Sequence, residues 1–405
     1  MRVRAIVVLA LGYALLGILM NSVGVVILQA IRHFDATKPM GSTLEACKDL
    51  SVVAASFLLA TRIPAFGYRR TLIVVTAAMA LACLAASFAE AFVAMQLLFV
   101  VTGLSFGAAK IATYAAIGLL ARDPDDHAAV TAQIEGVFMI GLLAGVWLFG
   151  LFVARDTTGG AWLGVYRVLA LAFALVALAW LATPLDERGA VAGATGGWRE
   201  MAALATLPMT IAVLGALFLY VLIEQGVGSW LPTFNNEVLH LPAAMSVELT
   251  SIYVGAIAVG RLAAAALFRR FGWLPVLLGC VTGVALLVVV ALPLARGVDA
   301  RAARGWSEAP LAAFLFPLIG VMLAPIYPTI CSVALSGLAR SRQAGLMGLI
   351  VIFSALGGTL GSLIVSLMFQ HLPGHYVFYI VLLPLALIAA TLPVIRRRQA
   401  QEMAA

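Results

Sequence analysis

The chain has 405 residues, of which 63% are hydrophobic and 11% charged, whereas soluble domains run near ~45–50% and ~25%. No soluble fold of this length could bury so much apolar surface. The sequence therefore excludes soluble enzymes and soluble binding modules, and it reads as an all-α polytopic membrane protein. The formal charge of +7 does not point to nucleic acid, because the basic residues sit singly or in pairs between apolar runs. Cys47, Cys83, Cys280 and Cys331 are scattered in apolar stretches with no metal-ligand or disulfide spacing, so no metal or cofactor is expected.

Taken in order, apolar runs separated by polar breaks give twelve spans, at 5–31, 43–65, 71–89, 91–120, 129–154, 163–183, 207–235, 248–268, 273–295, 310–338, 345–370 and 377–395. The first run is too long for a signal-peptide core and is expected to be retained as a helix. It carries Asn21 at depth. Span 2 opens on Ser42-Thr-Leu-Glu45, a capping-box pattern, which would place Lys48 and Asp49 at or just below the outer interface. The loop after it carries Gly67, Arg69 and Arg70.

Span 4 holds Lys110 about 16 Å from its inner end at 1.5 Å per residue, too deep for easy snorkelling. Glu135 lies about 10 Å into span 5 by the same measure. Two readings stand: an ion pair that locks spans 4 and 5, or a lysine that faces a watery cavity and attracts an anionic group while Glu135 sets its charge or takes a proton. Thr113 and Tyr114 follow Lys110 at i+3 and i+4 on one helix face, which favours the cavity.

Residues 186–206 form a polar, small-residue linker that divides the chain into a first six-helix bundle, 1–185, and a second, 207–405. Span 7 carries FLYVLIEQGVGSWL from Phe218 to Leu231. A charge at bilayer depth costs roughly 2.5–3.5 kcal/mol on insertion scales, so Glu224 is tolerable only facing protein or a water-filled cavity. Gln225, Trp230, Tyr327 and Asn21 are candidate polar and stacking contacts for a solute. Glu224 either accepts hydrogen bonds from solute hydroxyls, carries a proton or pairs with a neighbouring helix, with Arg261 of span 8 as the partner; Arg261 itself reads as structural.

GxxxG faces at Gly103/Gly107, Gly141/Gly145 and Gly357/Gly361 allow close helix approach. Those of spans 5 and 11 are expected at a moving interface between the halves. Gly103-Leu-Ser-Phe-Gly107 also fits a hydrolase pattern, but it sits mid-span with no strand before it, and all five histidines fall at loops or span ends.

Orientation follows from lysine and arginine placement. With the N-terminus inside, the inside segments carry fourteen basic residues and the outside segments six or seven, so both termini are expected in the cytoplasm. The halves also repeat. AFGYRRTL from Ala65 aligns with RFGWLPVL from Arg270 at an offset of 205, and Val23-Gly24 with Val227-Gly228 at 204. Repeats of this kind mark transporters built around a midplane site.

These features resemble the major facilitator superfamily, and residues 215 to 390 resemble its sugar-transporter branch typified by the L-fucose/proton symporters. That branch reads roughly Y-V-x-x-E-x-x-x-G-S-W-L in its seventh helix, matched by Tyr220, Val221, Glu224, Gly228, Ser229, Trp230 and Leu231. Tyr253, Gly255, Gly260 and Arg261 match its eighth helix, and Pro328, Thr329 and Ile330 its tenth. Three places depart from the pattern: Pro64 stands where the loop after span 2 usually carries an aspartate, and Asn21 and Lys110 stand in helices where proton-coupled members carry acids.

The resemblance implies a monomeric secondary transporter that exposes a site alternately to the two sides of a bacterial-type inner membrane. Its solute would be small, polar and organic, sugar or sugar-like, and anionic if Lys110 faces it. With no P-loop for nucleotide, protons are the expected coupling ion. The expected solute contacts are Asn21, Lys110, Tyr114, Glu224, Gln225, Trp230 and Tyr327, the proton carriers Glu135 and Glu224, and the structural or gating residues Gly67, Arg69, Arg70 and Arg261. A drug or metabolite exporter on the same fold is the alternative, and a non-transporting sensor or enzyme the second.

Overall fold

The computed structural model describes residues 2–59, 62–120, 124–156, 160–187, 203–296, 305–336 and 340–404. Residues 188–202, most of the expected linker, lie outside this set, as do Arg122, Arg301 and Arg304. The described residues are almost wholly helical. Eleven helices among them are long and apolar enough to cross a membrane. Span 2, Lys38–Leu58, is as long at 21 residues, but Lys38, Glu45, Lys48 and Asp49 lower its hydropathy. It completes the twelve spans of an integral membrane protein.

Span 2 begins earlier than its capping-box pattern implies. Pro39 sits in the first turn, where a missing N–H costs nothing, and the Thr37 side chain caps the helix by accepting from the Met40 N–H at 3.3 Å. Ser42 therefore lies inside the helix, where its hydroxyl donates to the Pro39 carbonyl at 2.7 Å. Lys48 and Asp49 move with it, from the interface to mid-helix.

Spans 1 and 10 are interrupted. Span 1 is a helix Arg2–Met20 followed by a second, Val23–His33, with the break at Asn21 and Ser22. Span 10 is built from Ala312–Leu315, Ile319–Leu323 and Ile326–Ser336. Pro317 and Pro325 fall at its breaks, where each removes a backbone donor.

The chain divides into two compact units, Met1–Ala194 and Thr195–Ala405, and the same helix pairing recurs inside each. In the first unit span 1 packs on span 5, span 2 on span 4, and span 3 on span 6; in the second, 7 packs on 11, 8 on 10, and 9 on 12. Gly67 and Gly272, 205 positions apart, are the two described glycines with positive φ (99° and 75°), and each sits directly before the helix that opens span 3 or span 9.

Glycine makes the closest of these crossings possible. A Cβ on Gly103 would strike the Lys48 carbonyl, one on Gly141 the Ala14 carbonyl, one on Gly361 the Leu222 carbonyl and one on Gly260 the Val321 carbonyl. The glycine faces of spans 5 and 11 thus close onto spans 1 and 7 of their own units. This corrects the expectation that they form an interface between halves: their small side chains are consumed by backbone contact within each unit.

Gly361→Ala should lower the melting temperature by several degrees, since overpacking a tight contact costs ~1–3 kcal/mol. Gly215→Ala, with nothing within 4 Å of the new methyl, should leave it unchanged or raise it, alanine being ~1 kcal/mol the better helix former. Thermal unfolding of the two purified variants in one detergent tests the pair; equal melting curves would refute the crossing.

Candidate functional site

In the first unit Phe106, Lys110 and Tyr114 are spaced four apart along span 4 and so share one helix face. Phe106 belongs to an aromatic cluster with Tyr13 of span 1 (centroids 5.8 Å apart) and Phe138 of span 5 (5.9 Å), the latter two rings being 4.7 Å apart. The Lys110 side chain is exposed, and its ammonium stands 5.9 Å from the Phe106 centroid, a cation–π distance. Glu135 accepts a hydrogen bond from the Tyr114 hydroxyl at 2.5 Å.

Of the two readings of Lys110, the structure lacks the ion pair: among the described residues no salt bridge joins Lys110 to Glu135. The phenol takes the carboxylate, and the ammonium keeps its open side. Thr113, expected on the same face, is buried at 1% exposure, because i+3 turns it toward the neighbouring helices while i+4 keeps Tyr114 with Lys110. Asn21 sits at the break in span 1, half-buried, and its amide reaches the Leu142 carbonyl of span 5 at 3.5 Å.

The second unit repeats the phenol–carboxylate theme. Tyr220, one turn before Glu224, donates to its carboxylate at 2.8 Å, and the Tyr253 hydroxyl donates to the Glu224 backbone carbonyl at 3.2 Å. Tyr327, just past the break in span 10, lies with its ring 5.7 Å from that of Tyr220 and takes a hydrogen bond from Ser354 at 3.5 Å. Tyr220, Glu224, Tyr253 and Tyr327 therefore form one polar cluster from spans 7, 8 and 10. Gln225 is half-buried beside it in sequence.

Two expected roles change. Trp230 is fully buried, donates its indole N–H to Ser362 at 2.9 Å and stacks on Phe369 at 5.6 Å. It ties span 7 to span 11 and presents no free face to a solute. Arg261 is exposed and forms no ion pair or hydrogen bond among the described residues, so its pairing with Glu224 is not realised; Tyr220 holds the carboxylate instead.

The loop after span 2 holds an arrangement that sequence reasoning missed. Gly67, at φ 99°, turns the chain into span 3. The first amides of that helix, on Tyr68 and Arg69, donate to the Glu187 carboxylate at 2.9 and 2.7 Å. Arg69 returns the favour at the end of span 6: its guanidinium donates to the carbonyls of Trp180 (3.2 Å), Thr183 (2.8 Å) and Leu181 (2.7 Å). An anion meets a helix N-terminus and a cation a helix C-terminus, each the favourable sense of the dipole. Arg70 points outward, exposed. The signal for Glu187 was the acid pair Asp186-Glu187 directly after span 6, read together with the absence of an acid at Pro64.

A model described as the Major Facilitator Superfamily matches residues 9–306, well over half of the chain. The protein belongs to the major facilitator superfamily. As a member it is a membrane transporter rather than an enzyme. Its fold is shared with a bacterial homologue of the human lysosomal transporter Spinster, at TM-score 0.72 and 14% identity over 99% of this chain and 96% of that one. The nucleoside transporter NupG aligns at TM-score 0.76 and 13% identity over 97% and 99%, and the xylose transporter XylE from E. coli at 0.69 and 14% over 96% and 98%. At such identities the likeness is one of fold. No curated protein matches the sequence.

Glu187→Ala should destabilise the protein by ~0.5–2 kcal/mol, the usual cost of losing a helix N-cap acceptor, and should raise the hydrogen-exchange rate of the first amides of span 3. Exchange mass spectrometry on peptides covering residues 66–72 reads it; unchanged protection would mean that Glu187 does not hold those amides.

Proposed function

We propose that this transporter carries a small organic anion of sugar-like size and polarity, coupled to protons, by alternating access across a bacterial-type inner membrane with both termini in the cytoplasm. The observation that carries the proposal is the state of Lys110: an exposed ammonium at span depth, close to an aromatic face, whose nearest expected counter-ion is taken by a tyrosine. Charged residues inside spans are rare and mark solute or ion paths, and a cation with an open side is suited to a carboxylate or a phosphate. Tyr114, hydrogen-bonded to Glu135, and Asn21 at the break in span 1 supply polar contacts in the same unit. Glu224, Gln225 and Tyr327 supply them in the second.

Proton coupling is assigned to Glu224 and Glu135. Each carboxylate accepts a hydrogen bond from a phenol, and each lies within a span, where ionisable side chains mark ion paths. The family adds support of a general kind: the names of NupG and XylE record nucleoside and sugar transport on the same fold. Gly67, Arg69 and Glu187 hold the inner ends of spans 3 and 6, and Arg70 and Arg261 remain candidates for gating contacts.

Lys110→Ala should weaken binding of the anion found by thermal-shift screening of sugars, sugar acids and other organic anions at least tenfold, or ~1.4 kcal/mol, with little change in the melting temperature of the free protein. Normal binding with earlier unfolding would return Lys110 to a structural role. Glu224→Gln, which keeps an acceptor for Tyr220, should abolish accumulation driven by an imposed pH gradient in proteoliposomes. Accumulation that persists with unchanged pH dependence would remove Glu224 as a proton carrier.

A further inference from the structure

Span 2 stops at Leu58, and the chain leaves it through Arg62 into a short helix, Ile63–Phe66, before Gly67 turns it into span 3. Beside this exit the surface of the first unit is hollow. A cavity of about 370 Å³ opens between the exit and the faces of spans 3 and 4, within the range of about 300–1,000 Å³ usual for ligand sites. The hollow exists because its floor is made of short side chains. Span 4 contributes Ser105 and Ala108, three apart and so on one helix face, and both are buried; span 3 contributes Ala78, half-buried. The rim differs in kind. Phe66, Val74 and Leu104 also line the cavity and are exposed, so the hollow opens to the outside of these helices.

Almost no polar group meets an occupant there. Thr71 lines the cavity but donates its hydroxyl to the Gly67 carbonyl one turn back, at 2.8 Å. The exception is Arg62, the one charged residue of the lining. It is exposed, and among the described residues its guanidinium has no hydrogen bond or ion pair. Arg69 is the contrast, held by the carbonyls that end span 6.

An apolar hollow at the end of a membrane span, with an open cation in its lining, is complementary to an amphiphile with a hydrocarbon body and an anionic head. The bilayer supplies such molecules. A water-soluble solute would lack the several placed polar groups that orient a ligand in its site. A guanidinium fork matches the oxygens of a phosphate, and basic pockets between spans at the membrane surface take anionic headgroups. A zwitterionic lipid offers the same phosphate but brings a cation of its own toward Arg62.

We propose that this hollow is a binding site for an anionic phospholipid, with one acyl chain over Ser105, Ala108 and Ala78 and the headgroup phosphate on the Arg62 guanidinium. The site lies within the first unit and does not depend on the transported solute.

Photo-crosslinking of the full-length protein in phosphatidylcholine vesicles tests it. The probes are trace phosphatidylglycerol and trace phosphatidylcholine with the same diazirine-bearing acyl chain, and labelled peptides are mapped by mass spectrometry. The phosphatidylglycerol probe should label peptides covering residues 71–78 and 104–108 about fivefold more than the phosphatidylcholine probe, the preference that one basic residue near the surface confers. Arg62→Ala should bring the two probes level, and Arg62→Lys should keep most of the preference. Ala78→Phe, which fills the floor, should remove labelling of 104–108 by both. Equal labelling of the wild type by the two probes, the mark of an ordinary boundary lipid, would overturn the proposal. So would a preference that survives Arg62→Ala, or labelling of 104–108 that survives Ala78→Phe. Should a variant fail to fold, the comparison of the two probes on the wild type decides.

Discussion

A carboxylate at membrane depth needs a partner inside the protein, and here the partner is repeatedly a phenol. Tyr114 holds Glu135 and Tyr220 holds Glu224. The choice of a neutral donor over a cation governs much else. A lysine or arginine would have cancelled the charge and locked both groups in place. A tyrosine orients the carboxylate without adding a charge of its own, and among the described residues Lys110 and Arg261 form no ion pair. Among the described residues, Lys48 bridges Glu45 and Asp49 in the buried middle of span 2.

The two units reach the same architecture through the same backbone device. Within each, a glycine on one helix admits the carbonyl of another, and the crossings of span 1 with 5 and 2 with 4 have counterparts in 7 with 11 and 8 with 10. In a lipid environment hydrophobic burial gives little drive for helices to associate, and close van der Waals contact through small residues takes its place. The aromatic side chains then divide by role. Trp230 and Phe369 fix the span 7–11 contact, whereas Tyr13, Phe106 and Phe138 gather where the polar side chains of the first unit emerge.

Much of this was legible in the sequence because the signals were local or periodic. Apolar run lengths gave the spans, and the 205-residue offset announced the two glycine turns at Gly67 and Gly272. The misses have a common cause, which is that partners far apart in sequence cannot be read from spacing. Glu187 reaches Tyr68 and Arg69 across more than a hundred positions, and spacing alone does not join it to them. Glu135 and Lys110 sit on adjacent spans at similar depth, and their failure to pair depends on the face that Tyr114 occupies. Ser42 and Glu45 matched a cap locally, but Pro39 and Thr37 offered the helix an earlier start. Trp230 looked like a stacking surface until Ser362 and Phe369 enclosed it. The break at Asn21 has no proline to betray it.

The interruption of span 10 has a result that reaches beyond that helix. Pro325 has no amide hydrogen, so the carbonyl four residues before it, on Val321, loses the donor that an unbroken helix would provide. That oxygen is the one lying on the bare Cα of Gly260 in span 8. The residue that opens a gap in one ladder of hydrogen bonds thereby turns an acceptor outward, and the neighbouring helix seats against it. The break in span 10 and its junction with span 8 are two ends of a single backbone defect.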